Sequence, residues 1–241
     1  MSSLEPDTGE SLFPPGGPVG ADVLILAAHR PDLVGLRSTL SEQLDGVVRG
    51  LHVLGKTVGL GMPVAGGSSA NRVARLAPRS VILLGTCGVY PGLAQYRPHD
   101  VMIASKLHLI DHAVLAGRAM FPEPMQTTLE THSLLAAGLC AAGQRTRIAP
   151  VATCLSITSD DALAAHVHKS TGCEGETLEA FAVAHACHAA QVPFAAVLGV
   201  THIVGSRGRD DWRQFHRQSV VAAAEVVVSW IHNGAQGLPH V

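Results

Sequence analysis

The chain has 241 residues and a formal net charge of −2, with 15% charged, 47% hydrophobic and only 4% aromatic residues. Without a block of Lys or Arg, and with few rings to stack on bases, it does not suit nucleic acid as a main partner. No apolar run reaches the roughly 18 residues of a transmembrane helix, and no basic amphipathic stretch offers a membrane anchor.

The first 20 residues carry Glu5, Asp7 and Glu10 among Ser, Pro and Gly, which predicts a disordered leader rather than a secretory signal. Residues 21–234 read as one α/β domain and 235–241 as a tail. Residues 22–28 (DVLILAA) are apolar without alternation, the pattern of a strand buried on both faces. Pro31 suits the first turn of a helix reaching about residue 44. Residues 50–60 predict two short strands or a hairpin, and residues 68–76 a helix. Residues 80–84 (SVILL) form a second buried strand that breaks off at Gly85-Thr86-Cys87-Gly88, and residues 101–109 a further one. Thr127 and Glu130 have capping-box spacing and open a helix to about residue 142. A strand over 147–155 follows, then a short helix capped by Ser159-Asp160-Asp161. A helix over 176–191, a buried strand over 193–201 and a long helix over 210–231 complete the order. Strands alternating with helices predict an α/β fold with a largely parallel sheet covered on both faces. Five cysteines (Cys87, Cys140, Cys154, Cys173, Cys187) form no CxxC pair and read as the reduced thiols of a cytoplasmic protein.

In such sheets ligands gather beyond the carboxyl ends of the strands. Three strand ends carry unusual residues: Ala28-His29-Arg30-Pro31-Asp32, Gly85-Thr86-Cys87-Gly88, and Thr201-His202 followed by GSRGRDDW. Gly59-Leu60-Gly61 and Gly66-Gly67-Ser68-Ser69 make a glycine-rich connection that either lets backbone N–H groups approach an anion or sugar or is a permissive turn. It is neither GxGxxG nor a P-loop, and no cofactor motif is present. Glu179 opens a helical face continued by Ala182, Val183, Ala186 and Ala190. A carboxylate there either accepts two hydroxyl protons, as from a sugar diol, or caps the helix or pairs with an Arg. The pairs His185/His188 and His166/His168 lack any recognised metal spacing, so no metal is expected.

Taken in order, VLILAAHRPDLVGLR, VGLGMPVAGGSSA, SVILLGTCGVYPGLA, HDVMIAS and ETLEAFAVAHACHAAQVPFAAVLGVTHIVG resemble the nucleoside phosphorylase and nucleosidase superfamily. The VTHIVGSRGRDDWR stretch looks most like futalosine hydrolases. The resemblance implies a three-layer α/β fold whose twisted mixed sheet partly closes into a barrel, with helices on both faces, assembled as a homo-oligomer. It implies cleavage of the N-glycosidic bond of a purine-type nucleoside such as futalosine, methylthioadenosine or adenosylhomocysteine. Leu178-Glu179 matches the family's Met-Glu, whose Glu holds the ribose hydroxyls. Asp32 matches the Glu with which nucleosidases orient the attacking water, and Gly85 and Thr86 lie in the loop beside ribose or phosphate. Cys87 from that turn, Thr201 and Gly61 join them as substrate-binding candidates, and the 156–161 stretch is placed beside the base.

Two departures follow from the resemblance. Leu83 occupies the position of a phosphate-binding Arg in hexameric phosphorylases, so water replaces phosphate as nucleophile unless Arg30 or Arg37 substitutes. His202 replaces the Asp of nucleosidases and the Asn of futalosine hydrolases. Histidine can donate a proton to the leaving base, and its bulk can instead block the base pocket or serve structure alone. A hydrolase is therefore the leading expectation. A phosphorylase and a non-catalytic nucleoside-binding subunit are the alternatives.

Overall fold

Strand β1 (Val23–Ala27) is apolar at every position because it is buried on both faces. Val23, Ile25 and Ala27 enter one core cluster and Leu24 and Leu26 another. The same division holds for Val81 and Leu83 against Ile82 and Leu84 in β4 (Ser80–Val89), and for Ala196 and Leu198 against Ala195 and Val197 in β9 (Phe194–Ile203). The computed structural model from which these contacts are read describes residues 20–239. The expected leader, apart from Gly20, and residues 240 and 241 lie outside the described residues.

Five strands close into a ring. β4 pairs with β8 (Gly175–Thr177), β8 with β7 (Thr146–Cys154), β7 with β5 (Val101–Ile110), β5 with β9, and β9 again with β4. From β4 the sheet continues outward through β1 and β3 (Leu51–Thr57) to β2 (Asp45–Val48), and β6 (Thr128–Glu130) edges β5. Parallel and antiparallel pairs are mixed, so the sheet is less purely parallel than the strand–helix alternation predicts, and it matches the partly closed barrel implied by the resemblance. Helices α1 (Met62–Leu76) and α5 (Ala180–Ala189) cover one face. The 3-10 helix Arg30–Leu36, α3 (Ser133–Ala141) and α6 (Gly208–His232) cover the other. A smaller cluster packs under α4 (Asp161–Thr171), and the single-turn α2 is His112–Leu115.

Several expected boundaries shift. The helix after β1 stops at Leu36. Gly35 lies so close to α6 that a Cβ there would meet Ala224 Cβ at 2.6 Å, and Leu44 then turns the chain at φ 57°. The expected hairpin is β2 and β3, starting earlier than predicted, with Arg49 and Gly50 both at positive φ as its right-handed strand twist requires. Helix α1 starts at Met62 with Pro63 in its first turn, so Gly66-Gly67-Ser68-Ser69 is helix rather than a ligand-cradling loop. Thr127 and Glu130 do not cap a helix. Thr128–Glu130 pairs with β5, and His132 caps α3 instead. Glu176 and Thr177 belong to β8, leaving Glu179 as the residue before α5. Beyond α6, Ala235 and Leu238 are buried and Trp230 Nε1 donates to Gln236 O, so this part of the expected tail is packed.

Candidate active site

Strand β4 runs on to Val89, so the turn expected at Gly85–Gly88 is strand. Beyond the end of β1, over the carboxyl-terminal parts of β4 and β9 and against the start of α5 and α6, lies a cavity of about 350 Å³. Its wall includes Asp32, Gly85, Thr86, Cys87, Leu178, Glu179 and His202, so most sequence-predicted residues converge there. Two do not line it. Gly61 stands behind Glu179, to whose Oε1 its N–H donates at 2.8 Å. Thr201 is fully buried behind His202. Leu83 also lines the cavity, but from within β4 rather than at a strand end. Arg30 and Arg37 are absent from the wall, and Arg37 pairs with Glu42 elsewhere. The cations on the wall are Arg209 and Arg213, from the first turns of α6.

One end of the cavity is carboxylate-rich. Glu179 is held at the entry to α5, where burial pushes its carboxyl up against the opposing Gly61 N–H bond. Asp32 lies in the 3-10 helix, 3% exposed, between two histidines. His216 Nε2 meets Oδ1 at 2.9 Å, and His29 Nδ1 meets Oδ2 at 2.9 Å. The His29 backbone N–H adds a longer bond to Oδ2 at 3.3 Å. Burial alone would raise this carboxyl, but the hydrogen bonds from His216 and His29 outweigh it and hold Asp32 below the ordinary carboxylate range.

His216 reaches Asp32 because Gly208, Trp212 and His216 recur every four residues and share one face of α6. Trp212 packs against His216 with ring centroids 4.4 Å apart, and its Nε1 donates to Thr86 Oγ1 at 3.3 Å. Sequence reasoning missed His216, and this four-residue spacing is the signal that could have found it.

The opposite end is set by His202. Opposite β4, Cys87 pairs with Val200 and Gly88 with His202, which leaves Thr201 as the extra residue of a β-bulge, a device that re-aims side chains beside a site. Thr201 Oγ1 donates its hydrogen to Cys87 O (3.0 Å) and lies 2.7 Å from His202 Nδ1. With its hydrogen committed, the hydroxyl can only accept from Nδ1–H, so in the neutral ring Nε2 carries the lone pair. Gly88 and Gly208 make room for that ring. A Cβ would meet His202 Nε2 at 2.6 Å from Gly88 and His202 Cδ2 at 2.8 Å from Gly208. Burial pushes the His202 pKa down, against the pull of Glu176 and Asp211. Burial also pushes the Cys87 thiol up to about 12, so it is no nucleophile at neutral pH.

Glu176 also lines the cavity, and its placement inside a predicted helix hid it. It is 7% exposed. Its carboxylate accepts from Tyr90 OH (2.8 Å), Thr158 N–H (3.0 Å), Thr158 Oγ1 (2.6 Å) and Cys154 Sγ (3.6 Å), and His112 Nε2 lies 3.0 Å from Thr158 Oγ1. The donor atoms of His112, Cys154 and Glu176 come within 4.8 Å of one another, but this carboxylate is already saturated with donors. Of the 156–161 stretch, Ile157 is on the cavity wall.

A model of the phosphorylase superfamily matches residues 45–232. No curated protein sequence matches the chain significantly. Among solved structures, the 5′-methylthioadenosine/S-adenosylhomocysteine nucleosidase of Neisseria meningitidis, in complex with methylthio-immucillin-A, is similar with a TM-score of 0.78 at 17% identity, over 89% of this chain and 99% of that one. Futalosine hydrolase of Helicobacter pylori gives 0.79 at 13% identity, over 88% and 97%. The Colwellia psychrerythraea nucleosidase bound to adenine gives 0.79 at 16% identity, over 90% and 96%. At such identities the likeness is one of fold.

Proposed function

The chain belongs to the phosphorylase superfamily, and on that premise we propose that it hydrolyses the N-glycosidic bond of a purine-type nucleoside, with futalosine, methylthioadenosine and adenosylhomocysteine as the substrates to try first. The observation that carries this reading is the convergence of Glu179 and Asp32 on one cavity, with Leu83 at the position that the resemblance matches to a phosphate-binding Arg and the wall's cations, Arg209 and Arg213, coming from α6 instead. The neighbours of like fold named for such substrates support it. Residues 21–234 act as one catalytic domain.

In the reaction, the ribose becomes oxocarbenium-like as the bond stretches and the base leaves with the electron pair. Glu179 accepts from the ribose hydroxyls and its charge stabilises the sugar cation. The Asp32 end orients water for attack on the anomeric carbon. His202, as imidazolium with Nδ1–H on Thr201, donates from Nε2 to the leaving base. Gly85, Thr86, Cys87 and Leu178 shape the wall around the sugar.

The test is release of free base from a nucleoside panel, followed by chromatography with and without phosphate. Phosphate-independent release of base and free sugar supports hydrolysis, whereas strictly phosphate-dependent release yielding a sugar 1-phosphate overturns it in favour of a phosphorylase. One observation favours a second reading, a non-catalytic nucleoside-binding subunit: neutral His202 presents a lone pair, not a proton, to the cavity. Stabilisation by nucleosides without turnover, with cleavage appearing in His202→Asp, would support that reading.

Two coarser proposals accompany this one. The apolar side chains Leu60 and Ile157, 58% and 56% exposed at the cavity wall, favour a homo-oligomer that covers them, to be tested by light scattering. The five free cysteines favour the reducing cytoplasm.

A further inference from the structure

Asp32 is poorly placed to touch a water molecule itself. Its side chain is 4% exposed, and both carboxylate oxygens already receive ring nitrogens. His29 lines the same cavity and its side chain is 41% exposed. A carboxylate held in its charged form can only accept, so His29 Nδ1 carries the hydrogen it gives to Asp32, and Nε2 is left with a lone pair. Among the described residues nothing hydrogen-bonds that nitrogen. His216 donates from its own Nε2 to the other oxygen and meets the His29 ring edge-on at 6.4 Å. Asp32 thereby fixes the tautomer and direction of His29, while His216 fixes Asp32. Glu179 lies near enough for the charge of His29 to act on its carboxyl.

We infer that His29 is the catalytic base of the hydrolysis, taking a proton from the attacking water through Nε2, with Asp32 and His216 as positioning residues. This rests on the hydrolase reading above. The bond between the anomeric carbon and the base nitrogen breaks, its electron pair leaving with the base. The water oxygen bonds to the anomeric carbon, one water proton passes to His29 Nε2, and the base takes its proton from His202 or solvent. The imidazolium so formed keeps its bond to the Asp32 carboxylate, which stabilises it. General-base assistance by a positioned side chain is worth about 10²–10⁴-fold in rate, and an Asp that holds a histidine's tautomer is a known way to supply it.

The experiment compares His29→Asn, His29→Ala and Asp32→Asn with wild type on whichever nucleoside wild type cleaves. Asn can replace the Nδ1–H donor to Asp32 without supplying a nitrogen base. The expected result is a kcat about 10²-fold lower in His29→Asn, with KM within about threefold and an unchanged melting temperature. Added imidazole restores turnover saturably in His29→Ala but not in Asp32→Asn, a rescue that a structural role would not produce. A His29→Asn enzyme within about threefold of wild-type kcat, beside a crippled Asp32→Asn, overturns the inference and returns the water to Asp32 while leaving the hydrolase reading intact. A wild type that cleaves no nucleoside overturns that reading and this inference with it.

Discussion

At one end of the cavity, Glu179 and Asp32 stand in a lattice of donors: Gly61 N–H on one carboxylate, His29 and His216 on the other. At the other end the His202 imidazole is seated between two glycines, with Thr201 as its one hydrogen-bond partner among the described residues and the buried Glu176 carboxylate acting on it. At the first end Asp32 is held charged by its two histidines, whereas burial pushes the Glu179 carboxyl up against the Gly61 N–H bond. The second must first be protonated, and burial works against that. Under the proposed hydrolysis, the sugar cation would be met by two carboxylates and the leaving base by an imidazole whose protonation burial opposes. Four measurements can break or sharpen this comparison.

The largest effect is expected at the first end. Glu179→Gln keeps size and hydrogen bonding but removes the charge, and should lower kcat/KM about 10³-fold, or ~4 kcal/mol of transition-state stabilisation. Initial rates of base release measure it, and a variant within tenfold of wild type would break the comparison outright. Asp32→Asn should follow with about 10²-fold in kcat, together with a stability loss of about 1–3 kcal/mol as two bonds to a charged acceptor weaken. The sign of its pH dependence is fixed. Because the folded-state carboxyl sits below the ordinary value of about 3.9, its contribution is fully present above that pH and is lost as pH falls through the lower folded value. The calorimetric gap between wild type and Asp32→Asn should therefore be widest near neutrality and close in acid. A gap that stays constant down to about pH 3 would show that the two histidines stabilise nothing through charge.

The two ends also differ in how far they were legible. The buried strands were plain in DVLILAA and SVILL, because a strand covered on both faces needs apolar residues without alternation. The site turns at the ends of β1 and β9 followed from those strands and from the resemblance. What sequence periodicity missed was decided by tertiary pairing. The capping-box spacing of Thr127 and Glu130 yields to the β5 edge, and Glu176 is drawn from a helix into β8 by pairing with β4 and β7. The partners of Asp32 were half visible. His29 is three residues away, but His216 is 184 positions distant along the chain, and its four-residue spacing from Gly208 and Trp212 does not by itself pair it with Asp32. The tautomer of His202 was beyond reach, since it depends on a bulge and on a backbone carbonyl five strands earlier in the chain order.

At the base end, the depressed pKa of His202 gives the third prediction. If Nε2 donates, the alkaline limb of the kcat profile belongs to His202: kcat falls as pH rises through a value below the ordinary histidine value of about 6.5, while any base that takes the water proton must be unprotonated and sets a separate acid limb. His202→Asn should flatten that profile, with about a tenfold loss at pH 5 and no more than about twofold at pH 8. A wild-type rate that is flat from pH 5 to 8 would remove His202 from the proton path, leaving the base to be protonated by solvent and making the asymmetry between the ends complete.

The smallest effect is expected for Gly88→Ala, which tests whether the ends act separately. Its Cβ would lie 2.6 Å from His202 Nε2 and 2.7 Å from Val204 Cγ2, so the imidazole must move while Glu179 and Asp32 keep their partners. Crowding of this kind costs about 1–3 kcal/mol, a fall of several degrees in melting temperature, and KM should rise about fivefold with kcat nearly unchanged at pH 8. Combined with Asp32→Asn, the effects on kcat/KM should add to within about 0.5 kcal/mol, as they do for sites without shared partners. Helix α6 is a physical link that could defeat this, because its Gly208 packs against His202 and its Trp212 touches both Thr86 in β4 and His216 on the Asp32 side. A coupling well above 0.5 kcal/mol would mean that displacement at Gly88 travels along α6 through Trp212 to Asp32, and that the two ends respond to substrate as one unit.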